Sequence, residues 1–380
     1  MAVEITEEFV WQSIPPRARD SHKGTFGSVL AVAGSAFYRG AALLAAEGAL
    51  RTGAGIVTLA SVEPVVSAAV TRLPECCLCP CKEGAQGGIA PENVPLLRRQ
   101  KATVLLLGPG LGGTAQSAAR AAETRTLVQQ LLPGFAGAAV LDADGLNAAA
   151  QLLAEGKPFP HPAGELVVTP HPGEMARLTG FSAAELAADR EGIALHYAKA
   201  WNAVVVLKGA HTVVASPDGR VCVNPTGNPG LARGGSGDVL AGMLAALLAC
   251  GLPAYEAAAC AVYLHGAAAD RAAAKRGEYG MLPHDILPEL GADAIGVNCS
   301  NGPDLLDSVV RGVKAVSPVP VLAKPNAGLP VMTDDGHAVY SMGPEAFAGH
   351  MKALIDTGAS LLGGCCGTTP AHIQALKAIL

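Results

Sequence analysis

A succession of short, almost wholly apolar runs, each followed by a stretch of helical periodicity, constrains this chain more than any other feature. Residues 28–33, 55–60, 103–107, 138–142, 166–169 and 203–207 are the runs, and 203–207 is the most hydrophobic. A strand with one wet face alternates apolar and polar residues, so uniformly apolar strands are buried on both faces. Strands alternating with helices imply a parallel sheet covered on both sides, an α/β fold. Only 4% of the residues are aromatic while Gly alone numbers 46, and such small side chains let helices pack closely on strands. Ligands of such sheets bind beyond the carboxyl ends of the strands. One break stands out. Residues 212–216 and 220–224 flank Pro217-Asp218-Gly219, and Asp-Gly between strand-like runs signals a hairpin. The sheet is therefore expected to turn antiparallel there.

Near residue 291 the pattern changes to three shorter strand-then-helix units, with strands near 294–298, 319–323 and 360–364. We place a domain boundary at 290–291, and a length of 380 residues suits more than one domain. The start is acidic, unlike a secretory signal. The longest apolar run, 239–255, contains Gly and Pro and falls short of the ~20 residues that span a bilayer, so it reads as a buried helix and its turn. A cytoplasmic protein is expected. The net charge of -5 leaves no basic excess, so neither nucleic acid nor a membrane is an expected partner.

The strongest motif is Asn224-Pro-Thr-Gly-Asn-Pro-Gly-Leu-Ala-Arg-Gly-Gly-Ser-Gly-Asp238. Val239, Leu240, Met243, Leu244, Leu247 and Leu248 follow at helical spacing, so a glycine-dense loop opens into a helix. Backbone N–H groups freed of Cβ can converge on one anion, and the helix start adds about half a positive charge. That is a phosphate cradle. It is not a Walker A loop, since no Lys-Ser/Thr follows the glycines. Asp238 at the helix mouth has two readings. It is an N-cap, or it takes a proton from a substrate hydroxyl while the loop holds the phosphate in transfer.

This motif resembles that of the ribokinase-like superfamily, and Gly227 to Leu240 is similar to the ADP/ATP-dependent NAD(P)H-hydrate dehydratases in particular. Further matches follow in order: Gly34-Ser35 with Tyr38 to Ala42, Gly108-Pro-Gly-Leu-Gly112, Leu141-Asp-Ala-Asp-Gly-Leu-Asn147, Thr169-Pro-His-Pro-Gly-Glu174 and Leu207-Lys-Gly-Ala-His-Thr212. The resemblance covers residues 1–290 and implies a three-layer αβα sandwich with a mostly parallel sheet. It implies that ADP or ATP, with Mg2+, phosphorylates the ring hydroxyl of hydrated NADH or NADPH (NADHX, NADPHX). Phosphate then leaves and the reduced ring returns. Asp238 would be the base and would touch the hydrate. Lys208, Gly209, Ala210, His211 and Thr212, with Gly234, Gly235, Ser236 and Gly237, would hold the adenine nucleotide. Ala41, Gly110 and His171 would contact the hydrate. Each has a plainer alternative: a strand-to-helix turn for 108–112, a packed loop for His171, helix caps for Asp142 and Asp144, a solvated charge for Lys208. Arg233 departs from the family, where a small residue or Thr is expected. The resemblance further implies a homo-oligomer, and a separate epimerase for the R form. A ribokinase-like kinase of a vitamin precursor is the competing enzyme reading. A zinc-binding or assembly module is the competing reading of another class.

The ten cysteines fall mostly into two clusters. Cys76, Cys77, Cys79 and Cys81 have no distant partner pair and no nearby His, so they read as part of an ordinary strand. Cys299 ends one strand and Cys365-Cys366 ends another. Three thiolates from neighbouring strand ends suit a zinc with its fourth position open. Together with Ala323-Lys-Pro-Asn-Ala-Gly328, they resemble the end of the homocysteine-binding domain of methionine synthase. That resemblance implies zinc on Cys299, Cys365 and Cys366, holding homocysteine sulfur as a thiolate. A complete (β/α)8 barrel takes ~250 residues, so residues 291–380 read as a partial barrel fragment.

Overall fold

The computed structural model describes residues 2–290, 295–299, 301–316, 320–333 and 338–380. The expected strand starts at 294 and 319 lie outside the described residues. The chain divides into two compact units, Met1–Leu290 and Gly291–Leu380.

In the first unit, strands β1 (Val3–Glu4), β2 (Ser28–Val32), β3 (Ile56–Val62), β4 (Cys77–Cys81) and β5 (Val104–Leu107) are followed by β6 (Ala138–Leu141), β7 (Leu166–Val168) and β8 (Val204–Leu207). The hairpin β9 (Val213–Ala215) and β10 (Val221–Val223) completes the sheet. Among the described residues it has ten strands, in the order β1-β10-β9-β8-β7-β6-β5-β2-β3-β4. From β8 to β4 every pairing is parallel. The pairings β8 with β9 and β9 with β10 are antiparallel, where Asp-Gly closes the turn. The two-residue β1, too short to leave a pattern in the sequence, pairs parallel to β10.

The apolar runs are central strands because nothing in them tolerates water. Leu105, Leu106 and Leu107 are fully buried, each contributing roughly 1.5–3 kcal/mol. The helices that matter for the site are α1 (Arg39–Thr52), α2 (Asp144–Ala154), α3 (Pro172–Thr179), α4 (Ser236–Ala249) and α5 (Ala254–Arg276). Helix α4 takes up residues 239–249 of the apolar run, with the turn and the start of α5 making up the rest, and is buried along nearly its whole length. It packs on α1 through small residues. A Cβ on Gly242 would run into the Ala45 carbonyl, and one on Gly48 would lie 2.7 Å from the Val239 carbonyl oxygen. No helix among the described residues is long and apolar enough to cross a membrane.

In the second unit, β11 (Ile295–Cys299), β12 (Val321–Pro325) and β15 (Ala359–Leu362) form a parallel sheet in the order β11-β12-β15. An antiparallel pair unannounced by the sequence, β13 (Pro330–Met332) with β14 (Ala338–Tyr340), lies between β12 and the next helix. Helices α6 (Asp307–Val316), α7 (Pro344–Thr357) and α8 (Pro370–Ala378) supply the cover. Leu306, Val310, Val321, Phe347 and Met351 form the centre of a small core of its own.

Candidate active site

The glycine loop ends where α4 begins. Gly235 is the N-cap of α4, in the left-handed region at φ 101, where a side chain would be strained and would collide with Leu44. Asp238 is therefore the third residue of the helix rather than its cap, which excludes the capping reading. Helix geometry aims the first-turn amides outward, the anion-binding arrangement of a helix start.

Two cavities meet at this point. The larger, about 690 Å³, is lined by the 208–212 loop after β8, by 224–229 and by Gly234 to Asp238. All nine residues expected to hold a nucleotide are on its wall. The other, about 630 Å³, is lined by Tyr38, Ala41, Gly110, Asp144, Asn147, Arg177 and Asp238. Asp238 alone of the residues singled out from the sequence borders both.

His171, expected beside Ala41 and Gly110, instead lines the larger cavity. Its ring is the N-cap of α3: Nδ1 accepts from the Gly173 and Glu174 amides at 3.0 and 3.3 Å. Glu174 Oε2 in return accepts from the His171 amide at 2.8 Å. With Nδ1 committed as an acceptor, the neutral ring carries its proton on Nε2. Burial, then the charges of Lys208 and Arg177, lower its proton affinity.

Beneath the cavities lies a buried charge network built from adjacent strand ends. Lys208, after β8, places Nζ 2.8 Å from Asp142 Oδ1, after β6, and 3.9 Å from Glu174 Oε2. Asp142 Oδ1 also accepts from Thr169 Oγ1 at 2.6 Å. Lys208 is thus an anchored charge, not a solvated one. Burial pulls its ammonium down, but Asp142 and Glu174 more than offset this and raise it above its ordinary value. It lies against the helix start, where a Cβ on Gly237 would stand 3.4 Å from Nζ.

The same network tunes Asp238. Burial pushes its carboxyl up to about 7, with Asp142 adding to the rise and Lys208 opposing it. Burial likewise pushes Glu174 up to about 7. A base with affinity near the working pH is the one best matched to proton abstraction. Arg233 also lines the larger cavity, and its Nη2 donates to the Tyr279 carbonyl at 3.0 Å.

Several wall residues were unmarked or weakly marked in the sequence. Asp144 read as a helix cap, and Asn147 was visible only as part of the 141–147 string. Arg177 and His265 sit inside ordinary helical periodicity and carry no local signal. His265 is wholly enclosed on α5, and burial pushes its imidazole down to about 4, keeping it neutral at the cavity wall.

Cys76, just before the edge strand β4, and Cys79 and Cys81 within it are buried, and burial pushes the Cys76 and Cys81 thiols up to about 11 and 12. Thiols so hard to ionise are inert packing. In the second unit, Cys299 Sγ lies 3.8 Å and Cys365 Sγ 3.9 Å from Cys366 Sγ, and all three sulfurs lie within 4.8 Å of one another. Four ligands at ~2.3 Å around a tetrahedral zinc stand ~3.8 Å apart, so the donor set fits that ion. The Cys366 amide donates to Asn326 Oδ1 at 3.1 Å and the Cys365 amide to the Pro325 carbonyl at 2.8 Å, which fixes the loop over the strand ends.

Solved structures of the same fold place the first unit in a class. The structure of a ribokinase-like superfamily protein from Enterococcus faecalis matches with a TM-score of 0.64 at 28% identity, covering 76% of this chain and 94% of that one. The first unit therefore has the fold of the ribokinase-like superfamily.

The chain belongs to the NAD(P)H-hydrate dehydratase family, whose model matches residues 29–291. The ADP-dependent (S)-NAD(P)H-hydrate dehydratase of Bacillus subtilis is 37% identical over 291 residues, which is 75% of this chain and 96% of that protein. A crystal structure of the ADP/ATP-dependent dehydratase from the same organism, co-crystallised with ATP and Mg2+, matches with a TM-score of 0.65 at 34% identity over 76% of this chain and 96% of that one. A bifunctional NAD(P)H-hydrate repair enzyme from Moorella thermoacetica is 45% identical over 285 residues, 74% of this chain. The chain spans about half the length of such bifunctional relatives, 52% in this case. A second family model, homocysteine S-methyltransferase, matches residues 244–380. It overlaps the first over 244–291, a stretch whose helices α4 and α5 pack into the first unit.

Proposed function

We propose that the first unit dehydrates hydrated NADH and NADPH in the S form at the expense of ADP or ATP. The observation that carries the reading is the position of Asp238 on the wall shared by two cavities, one floored by the glycine loop and one beside it. The nucleotide would occupy the larger cavity, its transferable phosphate against the start of α4 and Lys208. The hydrate would occupy the other. Asp238 would take the proton of the ring hydroxyl as its oxygen attacks phosphorus. Hydroxide is a poor leaving group and phosphate a good one, so phosphorylation is what makes loss of the oxygen feasible.

Mg2+ would arrive on the nucleotide's phosphates. Glu174 is the wall carboxylate that suits it, because a nearby dication would compensate a charge that burial disfavours. His171, as a neutral Nε2–H donor, would hydrogen-bond a ligand oxygen rather than take a proton.

Supplying NADHX, Mg2+ and either nucleotide, and following the absorbance of reduced nicotinamide, tests the reading. NADH should appear with release of free phosphate, and Asp238→Asn should abolish it while nucleotide still binds. Silence with both nucleotides refutes the reading. Accumulation of a stable phosphorylated product by the wild type would favour a small-molecule kinase.

For the second unit we propose a zinc site on Cys299, Cys365 and Cys366, supported by the sulfur spacing of 3.8 and 3.9 Å. Zinc there would leave one position for a sulfur ligand, the chemistry that homocysteine S-methyltransferases use. Metal analysis of the whole chain should give one zinc, lost in Cys366→Ser. Equal zinc in the two proteins sinks this assignment.

A further inference from the structure

Phosphorylating the hydroxyl is half of a dehydration. The other half removes a hydrogen from the ring carbon beside the one that bears oxygen. Asp238 already holds a proton when that step begins, so a second acceptor is required. Building on the dehydratase reading above, we infer that Asp144 is the base that accepts this second proton.

Asp144 lines the same cavity as Asp238, Ala41 and Gly110, but reaches it from a different strand end. The turn after β6 makes that possible. Asp142 and Asp144 are two residues apart, yet Asp142 is buried against Lys208 while Asp144 faces the other cavity. Between them Ala143 adopts φ 48 and ψ -117, a conformation that L residues avoid and that costs ~1–3 kcal/mol. Strain of this kind persists only where the surroundings enforce it. Here a Cβ at Gly108 would collide with the Asp142 carbonyl, so the bare glycine is what lets the turn seat.

Asp144 is held but not neutralised. Its Oδ2 accepts from the Gly112 amide at 2.8 Å, while among the described residues Oδ1 has only the Asn147 amide group at 3.5 Å. The cations nearby are engaged elsewhere. Lys208 pairs with Asp142, Arg120 with Glu123 at 3.0 Å, and Arg177 donates Nε to Asn147 Oδ1 at 2.9 Å. Burial raises the proton affinity of Asp144 above that of an ordinary aspartate, with the Gly112 bond opposing the rise.

The step balances without an oxidant or reductant. The carbon–hydrogen electron pair becomes the new ring double bond. The carbon–oxygen bond breaks with its pair leaving on phosphate. The proton goes to Asp144, which returns it to water once phosphate departs.

Asp144→Asn keeps the acceptor for the Gly112 amide, so the turn should survive. The test is a single turnover with ATP, Mg2+ and enzyme in excess over NADHX, with ADP and NADH measured in the same quenched samples. In the variant, ADP should form within about threefold of the wild-type rate while NADH formation falls by about 100-fold or more, the usual worth of a general base. Phosphorylated hydrate should then be visible by phosphorus NMR. Asp144→Glu should recover part of the NADH rate. With deuterium on the adjacent ring carbon it should make NADH more slowly, and first-turnover ADP unchanged. Parallel loss of ADP and NADH in Asp144→Asn would make the residue a positioning element, and normal NADH formation would leave the proton to the departing phosphate. Either overturns the assignment. A wild type that makes no NADH with ATP or ADP defeats the parent reading instead, and is told apart by that control.

Discussion

Replacing Asp238 by Asn should abolish turnover and, at pH 8, make the first unit more stable. The carboxyl stands at about 7 in the folded protein against an ordinary 3.8, chiefly through burial and then through the charge on Asp142. A folded state with raised affinity holds an extra proton between roughly pH 4 and 7, so this group's contribution to stability is fully present below about pH 4 and is lost as pH climbs through 7. At about 1.4 kcal/mol per unit the full penalty is roughly 4 kcal/mol, and relaxation of the neighbouring carboxylates brings the expected gain for the neutral amide to about 2–4 kcal/mol. The gain should be absent at pH 4 and complete by pH 8. The chain's two tryptophans, Trp11 and Trp201, both lie in the first unit, so their fluorescence during urea unfolding reports on that unit alone. A variant no more stable than wild type at pH 8, or a gain equal at both pH values, would refute the reasoning.

The acid limb of kcat/KM should have its midpoint near pH 7 and fall about tenfold per unit below it, because the reaction needs Asp238 ionised; a rate flat from pH 8 to 5.5 would contradict this. Lys208→Met should destabilise by about 3–5 kcal/mol in a denaturant titration, since it leaves Asp142 and Glu174 buried without their cation. Any residual activity of that variant should show its acid limb displaced upward in pH, because Lys208 is the charge that holds Asp238 down. Gly242→Ala should cost about 1–3 kcal/mol by driving α4 from the Ala45 carbonyl on α1, and should lower the melting temperature without moving the pH profile.

Much of this architecture was legible because its signals are local. Runs such as 104–107 are apolar on both faces, and only a doubly covered strand satisfies that. Asp218-Gly219 announced the reversal between β9 and β10 because that turn selects those residues. The glycine loop announced itself because close backbone approach excludes Cβ. The three cysteines were visible as sulfur at strand ends. Where local signals were weak, reading failed. β1 is two residues long. The β13–β14 pair follows a segment that scans as a loop. His171 was grouped with Ala41 and Gly110, but its ring caps α3 and it lines the larger cavity rather than theirs.

By itself, the chain's order of residues determined the layers, the parallel sheet with its antiparallel end, and which loop could hold phosphate. Periodicity and backbone sterics act over a few residues, so a linear text records them. Only folding decided that Asp238 would border two cavities, that Asp142 and Asp144 would part to opposite sides of a strained alanine, and that Lys208 and Glu174 would share one buried network. Those outcomes are set by burial and by Coulomb interactions among groups up to 96 positions apart, from Asp142 to Asp238. Such interactions depend on distance in space, which the linear order does not contain.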